Sequence, residues 1–172
     1  MLYRPELLDA LEALEARAWQ GSVWRHMFSE YPPSRENTRG SRWNPPGTAA
    51  IYTSLARETA LAEGNHMVNL QPLRPRASRS LYEVRVALSH VLDLTNQGGL
   101  EIVGLGQQEL TSYDFTACQE VGGAVAWLGN DGLLIPSARA SSANLVIYPG
   151  ALSPDADFQV LRREVLQEAD GG

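Results

Sequence analysis

Apolar positions recur at two spacings along this 172-residue chain. Over Pro5 to Trp19 the spacing is helical. Leu7, Leu8, Leu11, Leu14 and Ala18 share one stripe, and Pro5 stands where a first-turn proline belongs. Ala49 to Thr53 predicts a short strand, and Ser54 is placed to cap a helix from about Ala56 to Asn69. Leu81 to Leu88 alternates at period two and predicts a half-buried strand. Val91 to Leu94 and Leu100 to Val103 predict further short strands. Asp114 is placed to cap a helix to about Leu128 that buries Phe115, Cys118, Val121, Val125 and Leu128. Leu133 to Ile135 and Leu145 to Tyr148 are apolar enough for buried strands, and Phe158 to Val165 alternates like one. Residues 32–47 and 71–80 are polar loops rich in Pro and Arg. Helices and strands mix without regular βαβ alternation, which predicts an α+β fold.

One domain accounts for this length, and no repeat or linker interrupts it. The formal net charge is −6, which argues against binding a nucleic acid along a broad face. All the basic residues are arginine, so lysine Schiff-base chemistry is excluded. The single cysteine, Cys118, permits no intrachain disulfide and suits a reducing compartment. His26, His66 and His90 lack metal-site spacing, and no apolar run has the length of a membrane span. The expected location is the cytoplasm. Charge is uneven: Arg25, Arg35, Arg39 and Arg42 cluster early, whereas Val86 to Ala138 holds acids and no base. That asymmetry suggests a small anionic ligand; simple pairing with surface acids is the alternative.

Three segments carry candidate chemistry. Gly40-Ser41-Arg42-Trp43-Asn44-Pro45-Pro46-Gly47 is too rich in turn formers for a helix, yet holds an Arg fork suited to phosphate. A rigid turn plugged by Trp43 would explain it equally well. Tyr52 ends a short strand ahead of Glu63, a carboxylate among small helix residues. Glu63 is either an exposed helix glutamate or a group that a substrate can approach closely. Ser137 follows the apolar run Leu133-Leu134-Ile135, at the mouth of a strand or simply in its turn. No nucleophile elbow, phosphate loop or dinucleotide fingerprint is present.

Together these segments resemble the RES domain, the toxin of bacterial RES–Xre toxin–antitoxin pairs. The resemblance covers about residues 20–150 and rests on Trp24-Arg25, Gly40 to Gly47, Ile51-Tyr52-Thr53-Ser54 with Ala60 to Glu63, Asp93-Leu94-Thr95, Gly132 to Arg139 and Asn144 to Pro149. Ser41 stands where the family usually has a second glycine. The resemblance implies an ADP-ribosyltransferase-like split sheet with flanking helices and a cleft for NAD⁺, within one domain over 1–172. It implies an enzyme that cleaves the nicotinamide–ribose bond by hydrolysis or phosphorolysis, NAD⁺ being substrate and no cofactor being needed. ADP-ribosylation of a protein is the alternative, and a non-catalytic binding module or ribonuclease-like toxin is the reading from other classes. Carried over by motif, Glu63 is the catalytic carboxylate and Ser137 positions it or the ribose. Arg42 holds the phosphates with help from Arg25, and Tyr52 stacks on nicotinamide. Asn44 and Arg39 complete the substrate-binding set. The implied partner is an Xre-type helix-turn-helix antitoxin covering the cleft, in a hetero-oligomer or beside a homo-oligomeric toxin. Neither direct nucleic-acid binding nor a membrane is implied.

Overall fold

The computed structural model describes residues 3–71, 77–96 and 98–166. Helix α1 (Pro5–Ala13) buries Leu7 and Leu11, and Pro5 does open it. It ends sooner than its apolar stripe predicts: Leu14 is extended, and strand β1 (Arg17–Phe28) begins three residues later. Hydrophobic periodicity missed β1 because its buried positions, Val23, Arg25 and Met27, include a charge.

Strand β2 (Ile51–Ser54) leads into helix α2 (Arg57–Asn69). The expected cap is absent: Ala56 occupies the N-cap position, and the Ser54 hydroxyl donates to Asn144 Oδ1 instead. Strand β3 (Arg79–Asp93) joins two predicted strands into one. Its first two residues come from the predicted loop over 71–80, of which residues 72–76 lie outside the described residues. The strand expected over Leu100 to Val103 is a short helix, α3 (Gly99–Ile102), entered through Gly98 at φ 81°. Helices α4 (Gln107–Thr111) and α5 (Thr116–Trp127) follow. Asp114 serves α5 from just outside it, its Oδ1 accepting the Thr116 N–H at 3.0 Å. Strands β4 (Gly132–Pro136), β5 (Ala143–Ile147) and β6 (Asp157–Leu166) complete the chain.

The sheet order is β1-β2-β5-β4-β3-β6, and β1 also pairs with β3. Five strands therefore form a ring, with β6 outside it against β3. Only β3 and β4 run parallel, joined by the crossover through α3, α4 and α5. Alternation along β4 and β5 divides the core. Leu134, Leu145 and Ile147 pack with Val23, Val84 and Val86 in one cluster. Leu133, Ile135, Val146 and Tyr148 pack with α1 and α5 in the other. No described helix is long and apolar enough to cross a membrane.

Two glycines bring the 37–48 loop onto the body. A Cβ on Gly122 would lie 1.9 Å from the Trp43 carbonyl oxygen, and one on Gly123 would lie 3.0 Å from Pro45. The buried Tyr148 hydroxyl then donates to that carbonyl at 2.9 Å.

Candidate active site

A cleft of about 620 Å³ opens between α2 on one side and β1 with the 31–43 loop on the other. The ends of β2, β4 and β5 form its base. Glu63 reaches it from the middle of α2, half-buried. Its Oε1 accepts hydrogen bonds from Ser137 Oγ at 2.6 Å and from Asn144 Nδ2 at 3.1 Å. Its Oε2 has no partner among the described residues, so one carboxylate oxygen is held and the other is available.

The two donors are themselves oriented. Ser137 Oγ accepts the backbone N–H groups of Arg139 and Ala140, at 3.1 and 3.2 Å. Its single proton is left for Glu63. Asn144 Oδ1 accepts from Ser54 Oγ at 2.8 Å, across the β2–β5 pair in which these two residues stand opposite each other. This fixes the amide so that its NH₂ faces Glu63. Ser137 thus meets Glu63 as the motif implied. Asn144 and Ser54 were missed as site residues; the visible signal was a lone amide opening the apolar run Leu145 to Tyr148.

Arginines line the rest: Arg25, Arg35, Arg39, Arg42 and Arg139 face the cleft, and among the described residues its acids are Glu36 and Glu63. The ion pairs among the described residues, Arg4–Glu120, Arg57–Glu164 and Arg162–Glu83, involve none of these five. Among the described residues, then, pairing with surface acids does not explain the early arginine cluster. Arg25 is buried on β1, and its Nη1 donates to the Pro33 carbonyl. Burial, with Arg35 nearby, lowers its pKa to about 10. A desolvated cation beside a second cation is a strong demand for an anion. Arg35 itself lies over the Tyr31 ring at 3.7 Å.

Arg42 has a more complex position. Its Nη1 donates to the carbonyls of Glu109 and Ser112, at 2.8 and 2.6 Å, and its guanidinium lies 4.5 Å over Phe115. It ties the α4–α5 connection to the cleft while lining that cleft. Arg39 is exposed at the rim.

Tyr52 and Asn44 lie deeper than their expected roles require. The Tyr52 hydroxyl donates to Asn44 Oδ1 at 2.5 Å and accepts the Trp43 N–H at 2.9 Å. Burial raises its pKa well above the tyrosine range. Asn44 is fully buried, and its NH₂ donates to the carbonyls of Asn37 and Thr48. Its expected substrate contact is corrected: every polar atom of the side chain is occupied beneath the loop, so it shapes the site from below. Tyr52 lines the cleft by its ring only.

His26 and His66 also line the cleft. The His26 ring packs on Gly64, where a Cβ would fall 2.2 Å from the imidazole Cγ. Burial, with Arg79 nearby, lowers its pKa to about 4. It is a neutral spacer between β1 and α2.

A mixed α/β body with a braced carboxylate in an arginine-walled cleft defines the class. The RES domain family model matches residues 6–165, and the chain belongs to that family. Two curated relatives, the NAD(+) phosphorylase MbcT of Mycobacterium tuberculosis and that of Mycobacterium bovis, are each 29% identical to it over 156 residues, covering 86% of this chain and 84% of theirs. The fold is similar to that in the crystal structure of the M. tuberculosis MbcT–MbcA toxin–antitoxin complex. The TM-score is 0.83 at 23% identity, covering 95% of this chain and 93% of that one.

Proposed function

We propose that this protein is the toxin of a toxin–antitoxin pair and destroys NAD⁺ by phosphorolysis. The observation that carries the reading is Glu63, held through one oxygen by Ser137 and Asn144 while facing arginines that form no ion pair among the described residues. Membership of the RES family and the NAD(+) phosphorylase relatives support it.

Nicotinamide in NAD⁺ is a cationic leaving group, so its departure needs no strong acid. Breaking its bond to ribose develops positive charge on the sugar, as in glycoside hydrolysis. The free oxygen of Glu63 stabilises that charge or holds a ribose hydroxyl. Arg42 and Arg25 bind the diphosphate through their forked donors. The Tyr52 ring forms part of the nicotinamide pocket. Inorganic phosphate then attacks the anomeric carbon, releasing nicotinamide and leaving ADP-ribose 1″-phosphate. Arg39 and Arg35 are the spare cations for this second anion. The fold accordingly takes an ADP-ribosyltransferase-like role, the ring of strands holding the dinucleotide cleft. The antitoxin is a helix-turn-helix protein of the Xre type that covers the cleft and excludes substrate, and the pair acts in the cytoplasm.

The test is to incubate the purified protein with NAD⁺, with and without phosphate, and to follow nicotinamide release beside the Glu63→Gln protein. Release that needs both phosphate and Glu63 is expected. Release without phosphate means hydrolysis, and label transferred to a lysate protein means ADP-ribosylation. No release under any condition defeats the reading.

A further inference from the structure

The β4–β5 connection, residues 137–142, is pinned to Glu63 from both ends. Ser137 at its start and Asn144 just inside β5 both donate to Glu63 Oε1, at 2.6 and 3.1 Å. The Ser137 N–H closes the loop on the Ser142 carbonyl at 3.1 Å. Arg139 stands on this loop, half-buried, and lines the cleft. Its backbone N–H donates to Ser137 Oγ at 3.1 Å, so two hydrogen bonds in series link its backbone to the Glu63 carboxylate. Its guanidinium has no hydrogen bond, ion pair or aromatic face among the described residues. The other cleft arginines differ. Arg25 gives its Nη1 to the Pro33 carbonyl, and Arg42 gives its Nη1 to two carbonyls. Arg35 and Arg39 are exposed on the 31–43 loop, Arg35 over the Tyr31 ring. Arg139 alone of the five is tied to Glu63 through its backbone while its donor fork is uncommitted. A half-buried fork of N–H donors with no acceptor calls for an anion.

We propose that Arg139 binds inorganic phosphate as the attacking group, and so selects phosphate over water as the acceptor. This rests on the NAD⁺ reading above. In phosphorolysis one phosphate oxygen bonds to the anomeric carbon as the bond from that carbon to nicotinamide breaks. The bonding pair passes to the ring nitrogen, neutral nicotinamide leaves, and no proton need move. The attacked carbon is the one whose charge Glu63 stabilises, so phosphate must approach a carboxylate of its own sign. A cation beside Glu63, yet not paired with it, offsets that repulsion. Arg139 is in that position. Arg35 and Arg39 draw the second anion to the cleft, and Arg139 holds the one that reacts. Its planar fork also fixes the orientation of the phosphate. Water carries no charge and gains nothing from this side chain, which is why Arg139 bears on the choice of acceptor.

The test compares the wild-type protein with Arg139→Gln and Arg139→Lys. Both variants keep the backbone N–H that orients Ser137. Nicotinamide release is followed with phosphate varied at saturating NAD⁺, then with NAD⁺ varied at saturating phosphate. Phosphorus NMR separates ADP-ribose 1″-phosphate from ADP-ribose. Arg139→Gln is expected to raise KM for phosphate about ten- to a hundredfold, as loss of a charged hydrogen-bond donor predicts, with a far smaller change in KM for NAD⁺. Its products should shift toward ADP-ribose, and Arg139→Lys should fall between it and the wild type. An unchanged KM for phosphate, or a KM for NAD⁺ raised as much, overturns the assignment. Wild-type release that ignores phosphate also overturns it and leaves NAD⁺ cleavage intact. A wild type that releases no nicotinamide defeats the NAD⁺ reading instead. The anion site then rests on the line width of inorganic phosphate in the same NMR experiment: broadening by the wild type and not by Arg139→Gln keeps it, and equal line widths overturn it.

Discussion

Ser137 Oγ and Glu63 Oε1 are 2.6 Å apart, joining the end of β4 to the middle of α2. The serine proton is committed to this bond because two backbone N–H groups already occupy its oxygen. Glu63 is therefore aimed by a neighbour that need not touch the reacting atoms. Glu63→Gln keeps the shape of the side chain and removes its charge. Nicotinamide release should fall at least about a hundredfold, the scale seen when one electrostatic stabiliser is lost. Ser137→Ala leaves the charge but frees its direction, so a smaller fall in kcat is expected with KM little changed. Steady-state kinetics on both proteins, with thermal melts to verify folding, measure the difference.

Tyr52 combines two roles that substitution can separate. Its hydroxyl joins Asn44 to the Trp43 N–H, and both of these residues are buried beneath the loop. Tyr52→Phe keeps the ring but strands a buried carbonyl and a backbone donor, at a cost of about 1–3 kcal/mol. A fall of several degrees in Tm is expected. Tyr52→Ala also removes the ring and leaves a cavity, so it should melt lower still and lose more activity. Equal Tm values for Tyr52→Phe and the wild type would show that the hydroxyl network contributes nothing.

Arg42→Lys tests whether a point charge can replace a planar fork. Lysine cannot reproduce the two carbonyl bonds together with the Phe115 stack. KM for NAD⁺ should rise about tenfold or more, as it would if the α4–α5 connection and the phosphates share this side chain. An unchanged KM would confine Arg42 to the connection.

The legible parts of this protein were those governed by local pattern. Apolar stripes announced α1 and α5, a capping serine announced α2 although Ala56 takes the cap, and alternation announced β3 and β6. The turn-rich Arg-Trp-Asn segment announced a built loop. What stayed hidden depends on distant partners. β1 carries a buried arginine whose carbonyl partner, Pro33, is a loop residue. Ser54 looks like a helix cap, but Asn144, ninety residues away, takes its proton. Asn44 looks like a ligand contact until Tyr52, Asn37 and Thr48 close around it. Glu63 was readable as a candidate; the amide that braces it from β5 was not.

His26 gives stability a dependence on pH. Its pKa is about 4 in the folded protein, against an ordinary value of 6.5. Above pH 6.5 both folded and unfolded states leave it neutral, and it adds no slope. Between 6.5 and 4 the unfolded chain binds the proton first, so stability falls as the solution is acidified. Below 4 the folded protein binds it too, and the slope ends. Tm should therefore drop by a few degrees from this group across that window, and His26→Phe should flatten that part of the curve. A wild-type and a variant curve of equal slope would remove His26 as the cause.

The same imidazole sets how closely α2 approaches β1. A Cβ on Gly64 would stand 2.2 Å from His26 Cγ, far inside any allowed contact. Gly64→Ala must push the helix or the ring aside, and Glu63 is the adjacent residue on that helix. Overpacking of this kind costs about 1–3 kcal/mol, so the variant should fold but melt lower. Its kcat should fall more than its stability alone explains, because the carboxylate moves relative to Ser137 and Asn144. Removing the obstacle supplies the control. His26→Ala in the Gly64→Ala background makes room for the added methyl, and should recover kcat and the lost Tm in part. A double variant no better than Gly64→Ala would mean that the contact with His26 does not set the depth of Glu63 in the cleft.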